Sequence, residues 1–122
     1  MEIENLVELK NGSLLTTKYT RVYHEKDFKF NAPHHFEVQE QGGHVLSKVD
    51  FQCGPIKESG VNGICNEDLM NMVLVRLKGF QESEFRCREN AIAITKIEEA
   101  LLWLRKRTAD REARNVEGTH KI

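Results

Sequence analysis

From Glu84 to Arg114 the chain runs for 31 residues without a glycine or a proline, in a protein of only 122 residues. Apolar side chains recur through it at helical spacing, so it predicts a single helix of roughly 45 Å. Taken at alternating steps of four and three, Asn90, Ile94, Ile97, Leu101, Leu104, Thr108 and Arg111 form a heptad-like seam, aliphatic at its centre and polar at both ends. A neighbouring row, Ala93, Ile97, Ala100, Leu104, Arg107 and Arg111, adds small residues that permit close approach. A rod of this length has to bury its seam along another helix.

The segment before it offers one. Asn66 reads as a cap, and Glu67 and Asp68 suit the positive end of a helix. Leu69, Val73, Leu77 and Phe80 make one stripe, Met70 and Leu74 a second, with Met72 and Val75 besides. A helix apolar around so much of its circumference needs more cover than one hairpin partner supplies, which points to self-association. "VEGTH" after the long helix reads as an irregular tail, with Gly118 placed for a turn.

The first half changes period. Residues 1 to about 62 read as strands, with "GPIKESGVNG" as the connection to the helices. Asn11-Gly12 predicts a tight hairpin, Gly42-Gly43 a second, and "DFKFN" a further short strand. Phe36 and Val38 alternate with polar residues before the second turn, and Val45, Val49, Phe51 and Cys53 share a face after it. The fold class expected is α+β: a small antiparallel sheet with one buried face over residues 1–62, then an antiparallel helical hairpin over 63–122 that mediates self-association.

Composition narrows the function. With 18 Lys and Arg against 19 Asp and Glu the formal net charge is −1, which disfavours binding to long nucleic acid. No apolar run reaches the ~20 residues of a membrane span and no signal peptide opens the chain, so a cytosolic protein is expected. Cys53, Cys65 and Cys87 show no metal-ligand spacing and read as reduced, mostly packed thiols. His34 and His35 are adjacent, so on a strand they face opposite ways. No metal and no cofactor is expected.

The basic end of the long helix then stands out. Lys106, Asp110 and Arg114 can satisfy one another at spacing of four, whereas Arg111 has no acid three or four residues away and is like-charged with Arg107. Two guanidinium forks suit a pyrophosphate; a salt bridge to Glu84 or Glu89 of a second copy is the plainer alternative. Asn90 and Arg111 lie ~30 Å apart on one helix and cannot hold one small molecule. If two copies cross antiparallel about a twofold axis near Ala100 and Leu101, Asn90 of one faces Arg111 of the other, and symmetry makes two such pockets. Phe80, in "RLKGFQ", falls near Asn90 in a hairpin and offers either core packing or a stacking face for a base. Trp103 and Phe85 read as packing residues.

"GVNGICNEDLMNMVLVRLKGFQ", "CRENAIAITKIEEALLWLRKRT" and "VEGTH" resemble the helical-hairpin domain shared by anti-CBASS cyclic-nucleotide sponges and Thoeris anti-defence sponges of phages. The sheet ahead of the hairpin resembles the Thoeris anti-defence kind by architecture. The resemblance implies a counter-defence protein, working in the cytoplasm of the infected bacterium, that sequesters glycocyclic ADP-ribose made by TIR-domain proteins without cleaving it. It implies homodimers, in some members hexamers, and in some members cyclic oligonucleotides held at separate sites. The family's stacking ring, amide and paired arginines fall on Phe80, Asn90, Arg107 and Arg111, and all four positions match.

Two other readings compete. A phosphodiesterase or nucleosidase degrading such a ligand would draw on Glu89, Asp110 or His120 as acids and bases, each of which also fits a surface or capping role. A module contacting nucleic-acid phosphates or another protein through the terminal arginines has the offsetting acids against it.

Overall fold

The structure is a computed structural model and describes residues 5–15 and 17–122. The part of the expected sheet region at 1–4 lies outside the described residues. The chain forms two compact units, Met1–Ile64 and Cys65–Ile122.

The first unit is a four-stranded antiparallel meander of β1 (Leu6–Glu8), β2 (Thr20–Glu25), β3 (His35–Glu40) and β4 (Val45–Asp50), paired in chain order. The Gly42-Gly43 hairpin forms: Gly43 takes φ 92° and donates to the Glu40 carbonyl, and Glu40 donates to the His44 carbonyl. Asn11-Gly12 does not make a two-residue turn. Gly12 opens a short 3-10 turn, Gly12–Leu14, within a longer connection from β1 to β2. Asn11 sits at φ −145°, whereas a type I′ turn needs positive φ at both central residues. "DFKFN" is not a strand either. Phe30 and Asn31 both take left-handed φ, 54° and 71°, which folds the chain back toward β3.

Register places Phe36 opposite Val49 and His24, and Val38 opposite Val22 and Ser47, so these share one face. Val45 departs from the expected face: a register shift at Val38/Gln39 sets it opposite Gln39, on the other side of the sheet. Phe36 and Phe51 meet edge to face with ring centroids 5.5 Å apart. The burial is not confined to that face. Glu37 and Gln39, on the opposite face of the central strand, are each only 3% exposed. They are tolerated because they are bonded: Gln39 donates to the Glu37 carboxylate, and His35 joins Glu37 at 3.1 Å to Asp50 at 2.6 Å.

After β4 comes a one-turn helix, α1 (Ile56–Ser59), and then the "GVNGIC" stretch returns alongside β4. Ile64 donates to the Asp50 carbonyl and Gln52 to the Ile64 carbonyl. The Asn62 carboxamide clasps both main-chain groups of Cys53. Gly63 is required here, because a Cβ would stand 2.4 Å from the Phe51 main chain.

The second unit is a hairpin of α2 (Asn66–Gln81) and α3 (Arg88–Ala113), with Lys78 and Glu98 paired across it at 3.1 Å. α3 starts four residues later than the periodicity suggested, because Gln81, Ser83 and Cys87 tie up the connection: Cys87 donates to the Gln81 side chain and Phe85 to the Ser83 hydroxyl. Cys65, not Asn66, caps α2, with its N–H bonded to Asp68, and Cys87 caps α3 by accepting from the Asn90 N–H. Both thiols are consequently exposed and not packed.

The seam residues of α3 are half-buried, and Leu74 of α2 is the buried centre of the hairpin. Met72, Val75, Leu102 and Trp103 remain exposed, so the hairpin leaves apolar surface uncovered.

Candidate functional site

Two grooves on the hairpin hold candidate side chains. The first, of about 610 Å³, lies at the C-terminal end of α3 and is lined by Lys106, Arg107, Arg111, Arg114 and Lys121, with Trp103, Thr119 and His120. Asp110 is the acid in its lining, and Lys106 holds it at 3.1 Å. The groove therefore carries excess positive charge in a chain whose total is close to zero.

Its shape comes from how the chain leaves the helix. Asn115 takes φ 59° and ends α3, and Gly118 at φ 76° turns the tail back toward it. Arg111 then holds the tail: its Nη2 donates to the carbonyls of Val116 and Thr119, both at 3.0 Å, and Nη1 to the main-chain oxygen of Ile122 at 3.4 Å. Arg114 donates to the same Ile122 oxygen at 3.0 Å rather than to Asp110. Arg111 is thus not the unpartnered cation its sequence neighbours suggest. The Val116 and Thr119 carbonyls are neutral, so they orient the guanidinium without offsetting its charge. Arg107, one turn inward and exposed, makes no hydrogen bond or ion pair among the described residues.

The second groove, of about 360 Å³, lies at the other end of the hairpin and is lined by Arg76, Gly79, Phe80, Ser83 and Phe85. Phe80 is 39% exposed, with the Arg76 guanidinium 5.2 Å from its ring centroid. Gly79 leaves the adjoining surface open, with nothing within 4 Å of where a Cβ would stand. Asn90 sits half-buried in the first turn of α3. Its N–H is taken by Cys87, and its carboxamide makes no hydrogen bond among the described residues.

Within one chain, then, Arg107 and Arg111 share a groove, while Phe80 belongs to another groove near the start of α3. Trp103 and Phe85 are not packing residues: they are 71% and 67% exposed, and Trp103 lines the cationic groove and Phe85 the groove of Phe80. The tail's contribution was missed as well. Of the proposed acids and bases, Asp110 and His120 lie in the cationic groove and Glu89 in the first turn of α3. Among the described residues no three His, Cys, Asp or Glu side chains cluster to hold a metal ion.

The family described as "Acb2/Tad1, hairpin domain" matches residues 44–109, which take in β4, α2 and all but the last turn of α3. The chain is also 51% identical to "Thoeris anti-defense 1" of Bacillus phage SBSphiJ7, over 93% of this chain and 98% of that protein. By both measures, the chain belongs to the Acb2/Tad1 hairpin family.

Proposed function

We propose that this chain is a phage counter-defence protein that binds glycocyclic ADP-ribose in the cytoplasm of an infected bacterium and withholds it, uncleaved, from the Thoeris effector. The observation that carries the reading is the cationic groove, where Arg107 has no partner among the described residues and Arg111 is aimed by the tail, in a chain half identical to a protein named for Thoeris anti-defence. The pyrophosphate of such a ligand matches paired guanidinium groups.

The two grooves are too far apart for one ligand to span within one chain: Asn90 and Arg111 are separated by about 30 Å of helix. In this reading two copies cross antiparallel, so that Arg107 and Arg111 of one close over Phe80 and Asn90 of the other. The exposed Leu102 and Trp103, beside the proposed axis at Ala100 and Leu101, supply apolar surface for that crossing. Assembly to a hexamer, and capture of cyclic oligonucleotides at a separate site, belong to the same proposal through the resemblance to phage sponges, with no residues named for them.

Sequestration is a matter of stoichiometry and slow release rather than turnover. Purified protein loaded with glycocyclic ADP-ribose, then heat-denatured, should return the intact cyclic compound in proportion to protein. A linear product, or turnover at substoichiometric protein, would establish a phosphodiesterase or nucleosidase instead.

A further inference from the structure

The ring of Phe80 does not stand alone. Arg76 lies four residues earlier on α2, one turn away on the same face, and places its guanidinium carbon 5.2 Å from the ring centroid. No acid stands three or four residues to either side of Arg76, where Met72, Val73, Gly79 and Phe80 lie. Its guanidinium makes no hydrogen bond or ion pair among the described residues. Both side chains line the same groove, and Gly79 between them removes the side chain that would close it.

We infer that Arg76 is a positioning residue for purine stacking, a role that rests on the reading of Phe80 as the stacking ring. A cation held over an aromatic ring is attracted by the ring's quadrupole, and the attraction grows as the pair is desolvated. The contact fixes the rotamer of a ring on the last turn of α2, so less side-chain freedom is lost when a base arrives. It also covers one face of the ring, so the base takes the other. Arg76 acts on the base through Phe80 and not by touching the phosphates.

A double-mutant cycle separates that role from a direct one. Affinity for glycocyclic ADP-ribose is measured calorimetrically for the full-length protein, Arg76→Gln, Phe80→Leu and the double variant, with Arg76→Lys as the conservative replacement. Thermal melts confirm that each is folded. Arg76→Gln should weaken binding by about two- to twelvefold, the range expected when one side chain must be ordered on binding. In the Phe80→Leu background the same change should cost less than about twofold, and Arg76→Lys should keep most of the affinity. Equal losses in both backgrounds, or no loss in either, overturn the inference while leaving the sponge reading intact. Phe80→Leu binding as tightly as the parent removes the reading of Phe80 and this inference with it.

Discussion

The Arg111 guanidinium donates to the Thr119 carbonyl at 3.0 Å, so a residue proposed to meet the ligand also holds the wall of its own groove. Arg107, one turn away, has no such duty. The two arginines should therefore part company under mutation. Both Arg107→Ala and Arg111→Ala should lose ligand retention. Only Arg111→Ala should free the tail, since bonds from a charged donor are worth about 1.5–3 kcal/mol. Limited trypsin digestion after Arg114 should be about tenfold faster in Arg111→Ala and unchanged in Arg107→Ala. Equal cleavage in both variants would show that the tail is held by something else.

Gly79 sits inside α2 with open space where its side chain would be, and its φ is in the ordinary helical range. Gly79→Ala should stabilise the hairpin by about 0.5–1 kcal/mol through helix propensity. The same methyl enters the groove beside Phe80 and should weaken ligand binding. A more stable variant that binds as well as the parent would place the base elsewhere.

The sheet unit carries its own pH dependence. Hydrogen bonding to Asp50 raises the His35 imidazole above its ordinary range, with Glu37 adding to it and partial burial opposing. The bond from His35 in turn lowers the Glu37 carboxyl, against its burial, with Gln39 and Lys48 assisting. A raised imidazole contributes stability that is complete below its unfolded value, near 6.5, and is lost as pH rises through the folded one. A lowered carboxyl contributes stability that is complete above its unfolded value, near 4.3, and is lost as pH falls through the folded one. Urea unfolding followed on the sheet should thus be most resistant between about pH 4.5 and 6.5 and weaken toward pH 9. In His35→Gln the alkaline decline should flatten. An unchanged pH profile in that variant would show that the His35 pairing carries no net stability.

Elements with a strong period were legible in the chain. The long helix, its partner and the Gly42-Gly43 hairpin all follow from spacing, because one face of each must be apolar to be buried. Asn11-Gly12 and "DFKFN" misled because local turn chemistry is outvoted where longer-range pairing sets the strand ends. Cys65 and Cys87 misled because a thiol reads as a small hydrophobe until its place at a helix start is known. The arginines were visible through the absence of acids at helical spacing. The partner of Arg111 was not visible, since every residue offers a carbonyl and none announces which one the tail will present. In the sequence Trp103 and Phe85 read as packing residues because aromatic type is the same in a core and in a groove wall.

The shared pocket is tested most directly by complementation between two defective chains. Phe80→Leu lacks the ring and Arg107→Ala lacks an arginine, so homodimers of either should retain little glycocyclic ADP-ribose. In a heterodimer, one pocket collects both defects and the other pairs an intact ring with intact arginines. Co-expressed and purified as the mixed dimer, the pair should recover one tightly held ligand per two chains. A mixed dimer that retains no more than either homodimer would contradict a site built across two copies.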